Sequence, residues 1–174
     1  MKPSPAIDTR WSVITGAPSS GKSSLGLYLT LLGYRFCPET ARLYTDLEMS
    51  KGRTVDDIRS DKLDFQRKVL KLHAEAEARI SPSEIAFLDR SVFDGIAYGL
   101  PPDEVMAAYR FRYANIFFLE PVGFKKDYAR VEDEAQASSL GIAVREVYSR
   151  FGLPIITVPK MSIEDRAQFI LAKL

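Results

Sequence analysis

Trp11-Ser12-Val13-Ile14-Thr15-Gly16-Ala17-Pro18-Ser19-Ser20-Gly21-Lys22-Ser23-Ser24 reads as a short strand, a loop bounded by glycines, and the first turn of a helix. Trp11 to Thr15 is a compact run of strand formers, and Leu25, Tyr28, Leu29 and Leu32 recur at helical spacing after Lys22. Between them the spacing is G-x-x-x-x-G-K-S, in the strand–loop–helix context that gives this pattern its meaning. Gly16 and Gly21 permit backbone angles and close approaches that a Cβ would obstruct. Successive N–H groups of Ala17, Pro18-flanked Ser19, Ser20 and the helix start up to Ser24 can then converge on an anion, helped by the helix N-terminus. In this arrangement Lys22 would neutralise the outer phosphates of a nucleoside triphosphate, and the Ser23 hydroxyl would ligate Mg²⁺.

Outward from that loop the chain alternates short apolar runs with helical stretches. Gly33 ends the first helix, and Tyr34 to Cys37 predicts a second strand. Asp61 to Ile80 predicts the longest helix, with Phe65, Val69, Leu72, Ala76 and Ile80 on its core-facing stripe. Ile85 to Leu88 predicts a buried strand ending at Asp89. Pro101-Pro102-Asp103 starts a helix expected to run to about Tyr113, and Ile116 to Leu119 is a strand stopped by Glu120-Pro121. A helix over Glu132 to Phe151, a strand over Ile155 to Val158 and a last helix capped by Ser162 complete the pattern. The expected fold is α/β: a P-loop NTPase fold with a five-stranded, mainly parallel sheet and helices on both faces, kinase-like with a short lid. Residues 1–10 read as a flexible N-terminal arm and 11–174 as one nucleotide-binding domain.

Bulk composition narrows the function classes. Lys plus Arg number 24 against 23 Asp plus Glu, so there is no broad cationic footprint for nucleic acid. Cys37 is the single cysteine and His73 the single histidine, which excludes an internal disulfide and a Cys/His zinc site. No apolar run approaches the roughly 20 residues of a membrane span. Met1 to Asp8 lacks the apolar stretch of a secretory leader, so the cytoplasm is the expected compartment. The sequence leaves the oligomeric state open.

In parallel sheets, ligands gather at the carboxyl ends of the strands, so the polar residues there are the site candidates. Asp89 can hold Mg²⁺ directly or through water, and Arg90 can contact phosphate; an acid capping the next helix and a surface arginine are the plainer readings. Glu39 can take a proton from an attacking hydroxyl while Arg42 orients it or clamps an anion; Glu39 can equally cap the following helix. In Phe124-Lys125-Lys126-Asp127-Tyr128-Ala129-Arg130, the basic residues suit a lid over the triphosphate, Arg130 foremost, or a solvated loop. Asp94, Tyr98 and Gly99 can touch a substrate, and helix packing explains them as well. Trp11, Cys37, His73, Phe111, Tyr113, Phe117 and Phe118 read as structural.

Gly16-to-Ser23, Pro38-Glu39-Thr40-Ala41-Arg42, Asp89-Arg90-Ser91 with Asp94, Arg130-Val131-Glu132 and Val158-Pro159 occur in one order along nearly the whole chain. In these landmarks the chain resembles the small AAA-like P-loop ATPase-domain family that includes the ribosylnicotinamide kinase half of bacterial NAD regulators. More distantly it is similar to deoxynucleoside and nucleoside monophosphate kinases. The resemblance implies ATP and Mg²⁺, with Glu39 as general base, Asp89 as a metal-side acid and Arg130 as a lid residue. The expected function is a kinase passing the γ-phosphoryl group of ATP to a nucleoside-like or other small hydroxyl acceptor. Lys22, Glu39, Asp89, Arg90 and Arg130 would form its catalytic set, and Glu39, Arg42, Arg90 and Asp94 its acceptor contacts. A nucleotide-dependent regulatory switch is the alternative, and a nucleic-acid-end kinase a third reading. The absence of an N-K-x-D guanine reader favours adenine.

Overall fold

The computed structural model describes residues 6–122 and 133–174. Five strands form the central sheet: β1 (Trp11–Thr15), β2 (Arg35–Cys37), β3 (Ala86–Asp89), β4 (Asn115–Leu119) and β5 (Ile156–Val158). Their spatial order is β2-β3-β1-β4-β5, and every pairing is parallel. Val13 lies opposite Leu88 and Ile116, so β1 is central and its carboxyl end meets those of both neighbours.

Among the described residues, eight helices cross between or flank these strands. They are α1 (Lys22–Leu31), α2 (Thr40–Ser50), α3 (Val55–Ile58), α4 (Lys62–Glu77), α5 (Asp94–Ala97), α6 (Pro102–Ala108), α7 (Glu134–Arg150) and α8 (Ile163–Leu171). Strand periodicity sends alternate residues to opposite faces. Ile14, Phe87, Phe117 and Leu119 pack with Leu25 and Leu29 of α1 and Ala167 and Ile170 of α8. Val13, Leu88, Ile116 and Phe118 pack on the other face with Val144 and Tyr148 of α7. Both faces are covered, which is why these strands read as continuous apolar runs. Each large side chain fully buried here contributes about 1.5–3 kcal/mol.

Several boundaries differ from the sequence expectation. The helix starting at Pro102 stops at Ala108, not near Tyr113, because Phe111–Arg112 is extended and pairs with Ile7–Asp8. That pairing holds Ile7 to Thr9, within the described part of the stretch expected as a flexible arm: Ile7 N–H donates to Arg110 O at 2.7 Å and Thr9 N–H to Arg112 O at 3.1 Å. On α4 the buried stripe is shifted. Phe65, His73 and Glu77 are buried, whereas Leu72 and Ala76 face solvent. A buried polar cluster accounts for the shift, since Tyr113 Oη donates to Glu77 Oε1 at 2.6 Å and His73 Nδ1 lies 3.2 Å from Thr40 Oγ1. His73 Nε2 lies 3.2 Å from Glu77 Oε1 without forming a well-aligned hydrogen bond. Trp11 is fully buried as expected, its indole N–H donating to Ser81 O at 3.0 Å. No helix among the described residues is long and apolar enough to cross a membrane.

Candidate nucleotide and acceptor site

The loop between β1 and α1 takes its shape from three left-handed residues: Gly16 (φ 138°), Ser19 (φ 66°) and Gly21 (φ 91°). At Gly16 a Cβ would come within 2.7 Å of Leu119 O, so the loop can lie against the end of β4 only without a side chain there. Gly21 is the N-cap of α1, and among the described residues no side chain caps that helix. Its first N–H groups therefore stay available to an anion. Gly141 of α7 closes the loop from outside, where a Cβ would sit 3.0 Å from Ala17 Cβ.

Lys22 folds back over this loop. Its Nζ donates to Ala17 O at 2.8 Å and to Gly16 O at 3.1 Å, with only 5% of the residue exposed. Burial, reinforced by the neighbouring Arg90 charge, lowers its pKa from 10.5 to about 8. An incoming phosphate would offset both causes, because its negative charge favours the ammonium form.

On the other side of the loop, the ends of β2 and β3 bring Glu39, Asp89 and Arg90 together. Arg90 Nε donates to Glu39 Oε1 at 2.9 Å. Arg90 itself has φ 76°, an uncommon conformation for a residue with a Cβ, and its N–H donates to Ile14 O at 3.0 Å. Burial alone would raise the Glu39 carboxyl, but the charges of Arg90 and Lys22 outweigh it and hold it below the ordinary value. Glu39 thus stays an ionised acceptor. Asp89 goes the other way, pushed up to about 6 by burial and by the Glu39 charge.

Asp89 suits a divalent cation. Ser23 Oγ donates to its Oδ2 at 3.2 Å, while its Oδ1 is buried without a hydrogen-bond partner among the described residues. A buried unpaired carboxylate oxygen beside a hydroxyl and a phosphate cradle is the donor set magnesium takes in such sites.

Asp94 is committed to the protein. It accepts from Thr15 Oγ1 at 2.6 Å, Tyr148 Oη at 2.6 Å and Ser91 N–H at 3.0 Å, and Arg90 Nη1 lies 3.5 Å away. It joins the end of β1, the start of α5 and α7, and it steadies Arg90 from behind. The direct substrate contact expected of it competes with these bonds.

A single cleft unites these parts. Its lining runs from Pro18 to Ser24, through Glu39 to Arg42, and on to Asp89, Arg90 and Asp94. The far wall is apolar with polar points: Phe65, Val69, Leu70 and Leu100, with Gln66 and His73. Arg59 lies over the Phe65 ring at 4.9 Å and Arg90 over Tyr98 at 5.1 Å. From the sequence His73 reads as purely structural and Gln66 carries no signal, whereas Tyr98 already stands beside Asp94 as a residue able to touch a substrate, and it lines the cleft. Arg130 and the rest of the expected lid lie outside the described residues.

An uncapped α1 behind a glycine-shaped loop, at the carboxyl end of a parallel sheet, defines a P-loop NTPase fold of the kinase-like kind. The AAA domain family matches residues 11–166, and the chain belongs to that family. No curated protein matches the chain by sequence. Among solved structures, deoxyadenosine kinase from M. mycoides with the products dCMP and dCDP is 14% identical, with a TM-score of 0.64, covering 94% of this chain and 97% of that one. The NadR protein in complex with NAD and AMP-PNP is 19% identical, with a TM-score of 0.68, covering 95% of this chain and 48% of that one. The NadR protein in complex with NR is 18% identical, with a TM-score of 0.67, over 94% of this chain and 50% of that one. The chain therefore spans about half the length of NadR.

Proposed function

We propose that the protein is a small-molecule kinase, transferring the γ-phosphoryl group of Mg·ATP to a hydroxyl of a nucleoside-like acceptor. The observation that carries this reading is the Glu39–Arg90 pair, 2.9 Å apart, at the junction of the phosphate loop and an apolar-walled cleft. A pure nucleotide switch has no need of an ionised carboxylate where the phosphate loop runs into an apolar-walled part of the same cleft. The nucleotide-bound neighbours of the same fold, with AMP-PNP in one and deoxynucleotide products in another, support the same direction.

In the proposed reaction the acceptor lies against Phe65, Val69 and Leu70, its hydroxyl directed at Glu39. Glu39 takes the hydroxyl proton as the acceptor oxygen bonds to the γ-phosphorus. The bond from that phosphorus to the β–γ bridging oxygen breaks, and ADP leaves. Lys22 and Arg90 stabilise the phosphoryl oxygens, and main-chain N–H groups from Gly16 to Ser24 orient the chain of phosphates. Mg²⁺, held by Ser23 and Asp89, would neutralise charge between the outer phosphates. Arg130 is the lid residue proposed on sequence grounds, and Arg42 can meet an anionic group on the acceptor.

Glu39→Gln tests the assignment. Mg·ATP binding should change by less than about threefold, while phosphoryl transfer to the acceptor falls by roughly 10²–10⁴. Unchanged transfer would remove Glu39 from the reaction. If nucleoside panels yield no product from a wild-type protein that binds Mg·ATP, the regulatory-switch reading gains instead.

A further inference from the structure

Arg166, near the start of α8, is a buried cation that the proposed reaction leaves unused; 2% of it is exposed. Its Nε donates to Pro159 O at 3.1 Å, Nη1 to Ser20 O at 2.7 Å and Nη2 to Glu120 O at 2.8 Å. These three carbonyls belong to the end of β5, the phosphate loop and the end of β4. One rigid, planar fork therefore sets the relative positions of three separate segments. A Cβ placed on Gly21 would sit 3.4 Å from Arg166 Nη1 and 3.7 Å from Val122 Cγ2, so the loop, the β4 end and α8 meet closely here.

The location says which part of a ligand this frame serves. The acceptor cleft opens on the β2 and β3 side of the phosphate loop, with Glu39, Asp89 and Arg90 on that flank. Transfer in line requires the γ-phosphate to face that flank. The α-phosphate and the nucleoside attached to it must then leave the loop on the opposite side, over the ends of β4 and β5. That is the rim Arg166 ties together.

We infer that Arg166 is a positioning residue for the donor: it locks Ser20, Glu120 and Pro159 into one rim on which the ribose and base of the nucleotide rest. It touches no reacting atom, and the inference rests on the Mg·ATP reading proposed above.

Calorimetry on the full chain tests it, with Mg·ATP and Mg·tripolyphosphate as probes and Arg166→Lys as the variant. Lysine keeps the charge but gathers its donors on one nitrogen, which cannot reach three separated carbonyls as the fork does. Affinity for Mg·ATP should fall by about tenfold or more, while affinity for Mg·tripolyphosphate falls by less than about threefold. Parallel losses for both probes, or no loss for either, overturn the inference. A wild-type protein that binds neither probe defeats the ATP reading itself, and Arg166's role with it; that failure shows before any variant is made. Should the variant not fold, the ¹⁵Nε–H resonance of Arg166 in the wild type decides: it should shift with Mg·ATP and hardly with Mg·tripolyphosphate. Equal shifts refute the role.

Discussion

Replacing Lys22 by methionine should alter the pH dependence of the empty protein's stability in a calculable way. The ammonium is buried in the phosphate loop, and its pKa falls from 10.5 to about 8. At about 1.4 kcal/mol per pH unit, holding this charge in the folded state costs about 3 kcal/mol at neutral pH. Below about 8 the group is charged in both folded and unfolded chains, so that cost is present in full. Between about 8 and 10.5 the unfolded chain holds a proton that the folded chain does not, and wild-type stability rises with pH. Above 10.5 neither state is charged and the cost is gone. Lys22→Met lacks this titration. Its bonds to Gly16 O and Ala17 O are lost as well, at about 0.5–1.5 kcal/mol each, which partly offsets the gain at neutral pH. The difference in unfolding free energy between variant and wild type should therefore shrink by about 3 kcal/mol across that window. Urea unfolding of nucleotide-free protein at several pH values measures it. A difference that stays flat with pH would mean the ammonium is an ordinary strut and not a charge kept waiting for phosphate.

Four further substitutions probe the phosphate loop and the buried polar clusters. Gly16→Ala places a Cβ 2.7 Å from Leu119 O at φ 138°, so the loop must move; Mg·ATP binding measured by calorimetry should drop by about a hundredfold or more. Asp94→Ala leaves the Thr15 hydroxyl and the Ser91 N–H without their acceptor in a buried place, and Tyr148 Oη with Ser91 Oγ at 2.6 Å as its remaining partner; it should cost about 3–5 kcal/mol in urea unfolding, against about 1–2 kcal/mol for Tyr148→Phe. Equal costs for the two would show that the carboxylate is not the centre of that cluster. Tyr113→Phe removes the 2.6 Å donor to buried Glu77 and should destabilise by about 1–2 kcal/mol, with an unchanged value showing that Glu77 finds another partner.

Much of this molecule was legible because its signals are local. The phosphate loop needs glycines at Gly16 and Gly21 for backbone reasons that no neighbour can override. The inner strands β3 and β4 were legible because burial on both faces leaves uninterrupted apolar runs such as Ala86-Phe87-Leu88. Misreadings arose where distant partners decide. His73 and Glu77 are polar in sequence yet buried, with Thr40 partnering His73 Nδ1 and Tyr113 partnering Glu77 Oε1, and that turned the buried face of α4 away from Leu72 and Ala76. Phe111 and Arg112 sit in a stretch that continues a helical pattern, but pairing with Ile7 and Asp8 draws them out as a strand. Arg166 was silent for a different reason. Its partners are main-chain carbonyls, one of them 146 residues away, and a carbonyl leaves no mark in the sequence. Tyr148 meets Asp94 across 54 residues, and nothing local to it marks that partner.

The proposed chemistry is tested most directly by mass spectrometry of the wild-type protein incubated with Mg·ATP and a panel of nucleosides. The account predicts a monophosphorylated nucleoside appearing in step with ADP. Release of ADP and inorganic phosphate with every nucleoside untouched would contradict it.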